Sequence, residues 1–281
     1  MEQRAFDAAD VRRFEQYLLE EECCQSTIEK YLRDVRAFAV WLDSQSVTKE
    51  SVRSWKEYLV QKGYAPATIN SMLSALNTFL RFQGWQECCV KFLKIQRRMF
   101  RDSSRELTRE EYLRLINTAR ALAQERLALL IETIGATGIR VSEVRYITVE
   151  AVQSGKVSIM LKGKIRTILL SQKLCRKLQK YAKQQKIASG EIFLTRSGSG
   201  ISRKQIWADM KRLCKKAGVS SKKVFPHNLR HLFARMFYHV SRDIAKLADV
   251  LGHSSIETTR IYLLSAGTEH IRHLERLGLI C

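Results

Sequence analysis

The segment from Pro226 to Tyr262 carries the residue types best suited to chemistry. His227 and Arg230 are three residues apart, His253 follows a Leu-Gly pair, and Tyr262 lies nine residues further on. Arginine presents a planar fork that matches phosphate oxygens, histidine transfers protons near neutral pH, and a tyrosine oxygen can form a covalent intermediate. No run of Asp and Glu accompanies this set, which argues against a metal-dependent phosphoryl site. The segment predicts a phosphate site with a nucleophile, and we expect no metal and no cofactor.

The spacing also predicts the helices that hold these residues. Proline is tolerated at the first helical position, so a helix is expected to begin at Pro226 and to place His227 and Arg230, at i and i+3, on one face. His231 follows Arg230 directly and is directed to a different face. We interpret His231 as a buried structural histidine.

A helix junction is predicted around His253. Gly252 is typical of the left-handed residue that ends a helix, and Ser254 with Glu257 predicts a capping box that begins the next one. Tyr262 is then expected about two turns into that following helix.

Composition restricts the class of protein. The chain has 281 residues, enough for two domains of ordinary size, with a formal net charge of +21 and a pI of about 9.9. So basic a balance predicts a polyanionic partner, most simply nucleic acid. The seven cysteines are scattered and odd in number, which suits a reducing compartment. No apolar leader or membrane-length segment is present, so we expect a cytoplasmic protein without a membrane partner.

Residues 1–93 are predicted to form a bundle of four helices. A capping box at Ser26 and Glu29 is expected to begin the second helix. Thr48 begins and Gly63 ends the third, and Pro66 precedes the fourth. These stripes of apolar residues, spaced with the helical period, predict core rather than function.

Residues 94–106 are predicted to be a basic interdomain linker. Six cations face two acids in and just before this segment, and Lys94, Arg97 and Arg98 are among them. We interpret the linker as a strap along a nucleic-acid backbone, and the alternative is a solvated connector.

Residues 107–281 are predicted to form the second domain. Thr108 begins its first helix, and a further helix, roughly Glu125 to Ile134, is expected to stop at Gly135. In the run Thr-Gly-Ile-Arg-Val-Ser-Glu, Arg140 follows a glycine turn and Glu143 lies one helical turn beyond. Arg140 is either a surface arginine paired with Glu143 or an arginine directed into a site and braced by that carboxylate.

The period changes to that of strands between Val149 and Leu170, where Lys162, Gly163 and Lys164 predict a hairpin turn. Lysine at such a tip can reach into a groove, although an ordinary exposed lysine is the alternative. Nine Lys or Arg residues lie in 162–186 without an acid, and eight lie in 203–223 with one acid. Because like charges repel, these blocks predict an anionic partner, and Arg203 and Lys204 are candidate DNA contacts with Lys164. An amphipathic tail over 267–281 is expected to pack on its own domain or a neighbouring subunit.

The ordered motifs resemble those of the tyrosine site-specific recombinases, the phage integrase family, in its compact two-domain bacterial form. The resemblance covers nearly the whole chain. It implies a mainly α fold with a small antiparallel β-sheet: an N-terminal four-helix, SAM-like domain that clamps DNA, and a mixed α/β catalytic domain.

The resemblance also implies roles for individual residues. Tyr262 would attack the scissile phosphate and form a 3′-phosphotyrosyl link. Arg140, Arg230 and His253 would bind the phosphate.

The resemblance assigns the remaining roles to three further residues. Lys162 would protonate the leaving 5′ oxygen, and His227 would assist proton transfer at the tyrosine. The carboxylate of Glu143 would orient its neighbours.

By the same resemblance the partner is double-stranded DNA. Four subunits would assemble on two duplexes, exchange strands in pairs through a Holliday junction, and exchange their C-terminal helices, whereas the protein off DNA would be a monomer or weak dimer. Two alternatives are kept: a type IB topoisomerase-like enzyme that relaxes DNA, and a DNA-binding protein without catalysis. The latter predicts loss of at least one site residue, and none is lost here.

Overall fold

The structure, a computed structural model, describes residues 6–95, 103–161 and 164–263. The chain divides into two compact units, residues 1–97 and 98–281, and each is described by itself below.

The first unit is a bundle of four helices, as predicted. Their apolar stripes converge on one core in which Phe14, Phe38, Trp55 and Phe79 are at most 1% exposed. Burial of such large aromatic side chains dominates the energetics of a small core. The helices are α1 (Ala8–Glu20), α2 (Gln25–Leu42), α3 (Lys49–Gln61) and α4 (Pro66–Phe82).

Of the two helix starts predicted from capping residues in this unit, one is confirmed and one is wrong. Thr48 caps α3 and accepts a hydrogen bond from the Ser51 amide at 3.0 Å. The predicted capping box at Ser26 does not form, because α2 already begins at Gln25 with Cys24 at its N-cap. The Thr27 amide donates to the Cys24 carbonyl at 2.7 Å, so the first turn is complete before Ser26 could act as a cap.

The second unit is mainly helical and carries a two-stranded antiparallel sheet, which confirms the predicted fold class. Val149 begins a helix, so the change to strand period comes later than predicted. The strands pair from Lys156 with Leu169 to Leu161 with Lys164, leaving residues 162 and 163 as the connection. The elements are α5 (Arg109–Ala121), α6 (Glu125–Thr137), α7 (Val149–Ser154), β1 (Lys156–Leu161), β2 (Lys164–Leu169), α8 (Gln172–Gln184), α9 (Arg203–Lys216), α10 (Pro226–Ser241), α11 (Ile244–Leu251) and α12 (Ile256–Arg260).

Helix α6 does not stop at Gly135, contrary to the prediction. It continues to Thr137 and ends at Gly138, which has a φ of +64°. A Cβ on Gly135 would lie 2.6 Å from the Tyr112 ring of α5. The glycine at 135 therefore permits close helix packing, and the glycine at 138 supplies the left-handed turn.

Within the described ranges, no helix is long and apolar enough to cross a bilayer. Across the same residues, no group of three or more His, Cys, Asp or Glu side chains is arranged to hold a metal ion.

Candidate active site

Helix α10 is the element on which the site is built. Pro226 occupies its first turn, as predicted. The buried Asn228 amide donates to the carbonyls of Arg105, at 2.8 Å, and Lys223, at 2.6 Å. Arg235, nearly two turns further on, pairs with Glu106. These contacts hold both halves of the helix against the residues that begin the second unit.

Arg230 is buried at the centre of the site, with 1% of its surface exposed. Its guanidinium donates to the carbonyl of Gly138, to the carbonyl of Leu251 at 2.7 Å, and to His253 Nε2 at 2.9 Å. Gly138 comes close because it has no side chain: a Cβ there would lie 2.3 Å from the Phe233 ring of α10. The carbonyls at the ends of α6 and α11 therefore fix the orientation of this guanidinium.

Arg140 is paired with Glu143, a contact that both interpretations of the sequence contain. The carboxylate is buried and accepts from the Arg140 amide at 2.7 Å and from its Nη1 at 2.9 Å. The Arg140 side chain nevertheless remains 38% exposed. Since the carboxylate holds one edge of the guanidinium while the rest faces solvent, Arg140 is placed to bind an anion that arrives from outside.

Arg166 is a third arginine of the site, which the sequence analysis missed. Its Nη1 lies 3.1 and 3.0 Å from the two carboxylate oxygens of Glu143, and its Nη2 donates to the Val250 carbonyl at 2.9 Å. Burial lowers the pKa of Arg166 to about 10, with Glu143 opposing and Arg230 adding to this shift. A signal was available: in β2 an arginine stands two residues before the inward-facing Ile168, and strand side chains alternate between faces.

The contacts of His253 determine its tautomer. Arginine can only donate, so Nε2 accepts from Arg230, and Nδ1 carries the proton that is donated to the buried Thr259 hydroxyl at 2.8 Å. Burial, followed by the charges of Arg230 and Arg140, lowers the pKa of His253 to about 4. The imidazole is therefore neutral at neutral pH.

Tyr262 lies against the imidazoles of the same chain. Its ring centroid is 5.6 Å from that of His253, nearly parallel to it, and 5.9 Å from that of His227. The pKa of Arg230 is lowered by burial and by Arg140, and a hydrogen bond to the Tyr262 phenol opposes that shift. The tyrosine oxygen therefore contacts the buried guanidinium.

The helix that leads to Tyr262 begins later than predicted. Gly252 ends α11 with a φ of +64°, as expected. The cap of α12 is Ser255 rather than Ser254, and it makes no side-chain hydrogen bond. The prediction of a capping box at Ser254 and Glu257 is therefore wrong. The backbone of Ser255 is still extended (φ −138°), so the helix begins one residue later than predicted. Tyr262 lies in the 3₁₀ turn Ile261–Leu263 that continues from α12.

His231 was predicted to be a buried structural histidine, but it lies beside Tyr262 and His227. Its ring is 4.3 Å from the Tyr262 ring and 4.6 Å from the His227 ring, and it is only partly buried. The prediction considered only that His231 and Arg230 are directed to different faces of the helix. The residue that shares a helix face with His231 is His227. At i and i+4 the two histidines lie on one face of α10, and Tyr262 packs against that face.

The remaining predicted residues are the candidate acid Lys162 and the candidate DNA contacts. Lys162, Arg97 and Arg98 lie outside the described residues, as does the predicted tail helix at 267–281. Lys164 begins β2, and its side chain is not described. Lys94, Arg203 and Lys204 are exposed, the last two in the first turn of α9. Neither Arg203 nor Lys204 lies in the cluster around Arg230.

Two other tyrosines of the second unit, Tyr181 and Tyr238, make none of the contacts with imidazoles that Tyr262 makes. Tyr181 lies in the main core, where burial raises its pKa. Tyr238 is partly buried and packs against the small apolar cluster to which Tyr262 belongs.

The cluster therefore combines a buried tyrosine, three guanidiniums, two of which bind the Glu143 carboxylate, and three imidazoles. Cations in excess of their carboxylate partner favour an anion between them. A tyrosine oxygen bound to one of the guanidiniums is placed to react with a phosphate held by the others.

Comparison with known proteins identifies the family. The profile described as "Phage integrase family" matches residues 105–269, more than half of the chain. The profile described as "Phage integrase, N-terminal SAM-like domain" matches residues 11–87. The chain belongs to the phage integrase family.

Curated relatives agree over most of their length. A tyrosine recombinase XerA from Pyrococcus furiosus is 28% identical, and the match covers 90% of this chain and 97% of the relative. A tyrosine recombinase XerD from Brucella suis is 29% identical over 85% of this chain and 86% of the relative. The chain is thus an enzyme that breaks and rejoins DNA in site-specific recombination, and the two alternatives are not favoured.

Solved structures show the same fold. A lambda integrase dimer bound to a COC′ core site has a TM-score of 0.73 at 18% identity, covering 92% of this chain and 78% of that one. XerH recombinase in a pre-cleavage complex with difH has a TM-score of 0.69 at 18% identity, covering 95% and 84%.

Proposed function

We propose that Tyr262 is the nucleophile and that it cleaves one DNA strand at a time. Its oxygen attacks phosphorus, the bond to the 5′ oxygen breaks, and a 3′-phosphotyrosyl link with a free 5′ hydroxyl results. Attack by a 5′ hydroxyl of the partner strand then reverses the step and releases the tyrosine. The new ester keeps the energy of the old one, so strand exchange needs neither a metal nor another cofactor. The packing of the Tyr262 ring against three imidazoles, one of which is bound to the buried Arg230, carries this proposal.

Arg140 and Arg230 bind the non-bridging oxygens of the phosphate in this proposal. Charge on those oxygens changes as the pentavalent state forms, and donors that are already oriented stabilise that state most. Arg230 is oriented by two backbone carbonyls, and Arg140 by the Glu143 carboxylate. The half-exposed Arg140 meets the incoming phosphate, and Arg230 holds it from below.

His253 also binds the phosphate, and Thr259 makes this possible. When the Arg230 guanidinium donates to the phosphate instead of to His253, the Nε2 atom of His253 loses its donor. That atom must then carry a proton in order to hydrogen-bond a phosphate oxygen. The Thr259 hydroxyl can either accept from Nδ1–H or donate to a bare Nδ1. Their separation of 2.8 Å suits both arrangements. The threonine therefore supports the change of tautomer without the cost of a charged imidazole.

Proton transfers are assigned to three further residues. Lys162 protonates the leaving 5′ oxygen, because an alkoxide is a poor leaving group. His227, which is exposed at the start of α10 and directed toward Tyr262, takes the phenol proton. The His231 ring, 4.6 Å from that of His227 and 4.3 Å from that of Tyr262, is placed to relay the proton.

The substrate is double-stranded DNA, held by both units, with boundaries proposed at 1–93, 94–106 and 107–281. Backbone contacts come from Lys94, Arg97, Arg98, Lys164, Arg203 and Lys204. Four copies act on two duplexes through a Holliday junction in the cytoplasm, and each copy passes its C-terminal helix to a neighbour. A lambda integrase tetramer bound to a Holliday junction, which shares this fold at a TM-score of 0.71, supports this assembly.

The test begins with recovery of covalently trapped DNA from cells, because its sequence defines the substrate. A duplex of that sequence, nicked beside the cleavage position, then traps the adduct in vitro. We expect Tyr262→Phe to bind this DNA as tightly as the parent protein but to form no adduct, whereas the control Tyr238→Phe forms it normally. Adduct formation by Tyr262→Phe would refute the assignment.

A further inference from the structure

Arg166 occupies a position in which a cation is costly. It pairs with Ile159 across the hairpin and lies on the same inward face. Its side chain is only 11% exposed, and Arg140 and Arg230 both act to lower its pKa. A buried cation beside two others is unfavourable unless hydrogen bonds and an opposite charge compensate. Its contacts therefore indicate what the arginine contributes.

Those contacts join three separate elements. The two guanidinium nitrogens of Arg166 bind Glu143, in the turn that carries Arg140, and the carbonyl of Val250, near the end of α11. The backbone of Arg166 belongs to β2, which pairs with β1. Only a planar fork reaches two such acceptors in fixed directions, which a lysine ammonium on its flexible stem does not.

Gly252 makes room for the stem of this arginine. A Cβ at position 252 would lie 2.2 Å from Arg166 Cδ and 2.7 Å from its Nε. The backbone there has a φ of +64°, so glycine is favoured both by conformation and by the close approach of the arginine. The next residue is His253, so the position of Arg166 and the position of this imidazole are sterically linked.

We propose that Arg166 is a positioning residue for the cleavage reaction, which holds the Arg140–Glu143 turn, the His253 junction and the strand after the hairpin tip in one arrangement. Its Nη1 keeps Glu143 from being satisfied by Arg140 alone, so that Arg140 retains donors for the phosphate. Its Nη2 and its stem hold the end of α11, and with it His253. This inference rests on the proposed function of Tyr262 and deepens it.

The test compares Arg166→Met, which keeps the stem and loses the fork, with Arg166→Lys, which keeps the charge. Arg114→Met, at an exposed arginine of α5 outside the two basic blocks, is the matched control. Single-turnover adduct formation on the nicked duplex is measured beside the dissociation constant for intact DNA and the thermal midpoint. We expect Arg166→Met to slow adduct formation about 30-fold or more, Arg166→Lys to fall between it and the parent, and DNA affinity to change less than about threefold.

A double-substitution cycle separates positioning from general destabilisation. Gly252→Ala must displace the Arg166 stem in the parent protein, whereas with Met at 166 the flexible thioether can yield. The two substitutions together should therefore slow adduct formation by clearly less than the product of their separate effects.

The outcomes are distinct. If the parent protein forms no tyrosine adduct, the proposed function fails. If it does, and Arg166→Met reacts at the parental rate or the two effects multiply independently, the positioning role is refuted. Equal losses in rate, affinity and thermal midpoint in both the Met and Lys variants would also overturn it, because a purely structural residue behaves in that way.

Discussion

Thr259→Val offers a sharp test of how His253 works. Valine has nearly the shape of threonine, so the substitution fills the same space, which is fully buried, but removes the partner of His253 Nδ1 at 2.8 Å. A buried donor left without a partner costs about 1–3 kcal/mol. Because about 1.4 kcal/mol corresponds to a factor of ten in rate, we expect adduct formation to slow between about 5-fold and 150-fold.

The loss should appear in the chemical step. Thr259 has no exposed surface from which to bind DNA, so affinity for the duplex should remain at the parental value. Thr259→Ser is the matched control, since it keeps the hydroxyl and should restore most of the rate. Single-turnover kinetics on the nicked duplex, with affinity measured in parallel, distinguishes these effects. A valine variant that cleaves at the parental rate, or a serine variant as slow as the valine one at equal stability, would refute the tautomer hypothesis.

Three further predictions follow from the site and its surroundings. Arg140→Ala should slow cleavage by at least about 100-fold while weakening DNA binding only a few-fold, because its contact is strongest in the transition state; equal losses in parallel kinetic and binding measurements would contradict its role. The pKa of His253 is about 4 in the folded protein and 6.5 ordinarily. Between these two pH values the unfolded chain therefore binds one more proton than the folded protein. The contribution of His253 to the free energy of unfolding should be constant above pH 6.5 and decrease as pH falls toward 4. Urea unfolding at several pH values checks this, and His253→Gln, which cannot titrate, should show a smaller decrease. Gly135→Ala should reduce the free energy of unfolding by about 1–3 kcal/mol through overpacking against Tyr112. The same substitution should cost less in a protein that already carries Tyr112→Ala. An equal cost in both backgrounds would contradict the packing explanation.

The sequence by itself determined the elements whose signals are local. The four-helix bundle follows from apolar residues repeated at the helical period, and Thr48 and Thr108 cap their helices because a hydroxyl at that position satisfies a free amide. Gly252 ends a helix with a positive φ, and Gly138 makes the turn before Arg140, as their positions predicted. The site motifs were likewise visible, since Arg140 with Glu143 and His227 with Arg230 each lie within one helical turn.

Tertiary structure decided which of these local signals were used. Ser26 and Ser254 had capping sequences, but neighbouring residues began the helices instead. Gly135 had the composition of a helix stop, but the approach of Tyr112 gave it a packing role. A short signal of this kind contributes about 1 kcal/mol, which the surrounding packing can override.

Tertiary structure alone brought Arg166 and His231 into the site. Arg166 meets Val250 across 84 residues, and His231 meets Tyr262 only because the 3₁₀ turn after α12 packs against α10. Each residue lay at a position whose face was predictable, an inward strand position and a helix position four after His227. Which partner occupied that face depended on contacts between distant segments, and single-sequence periodicity carries no information about those.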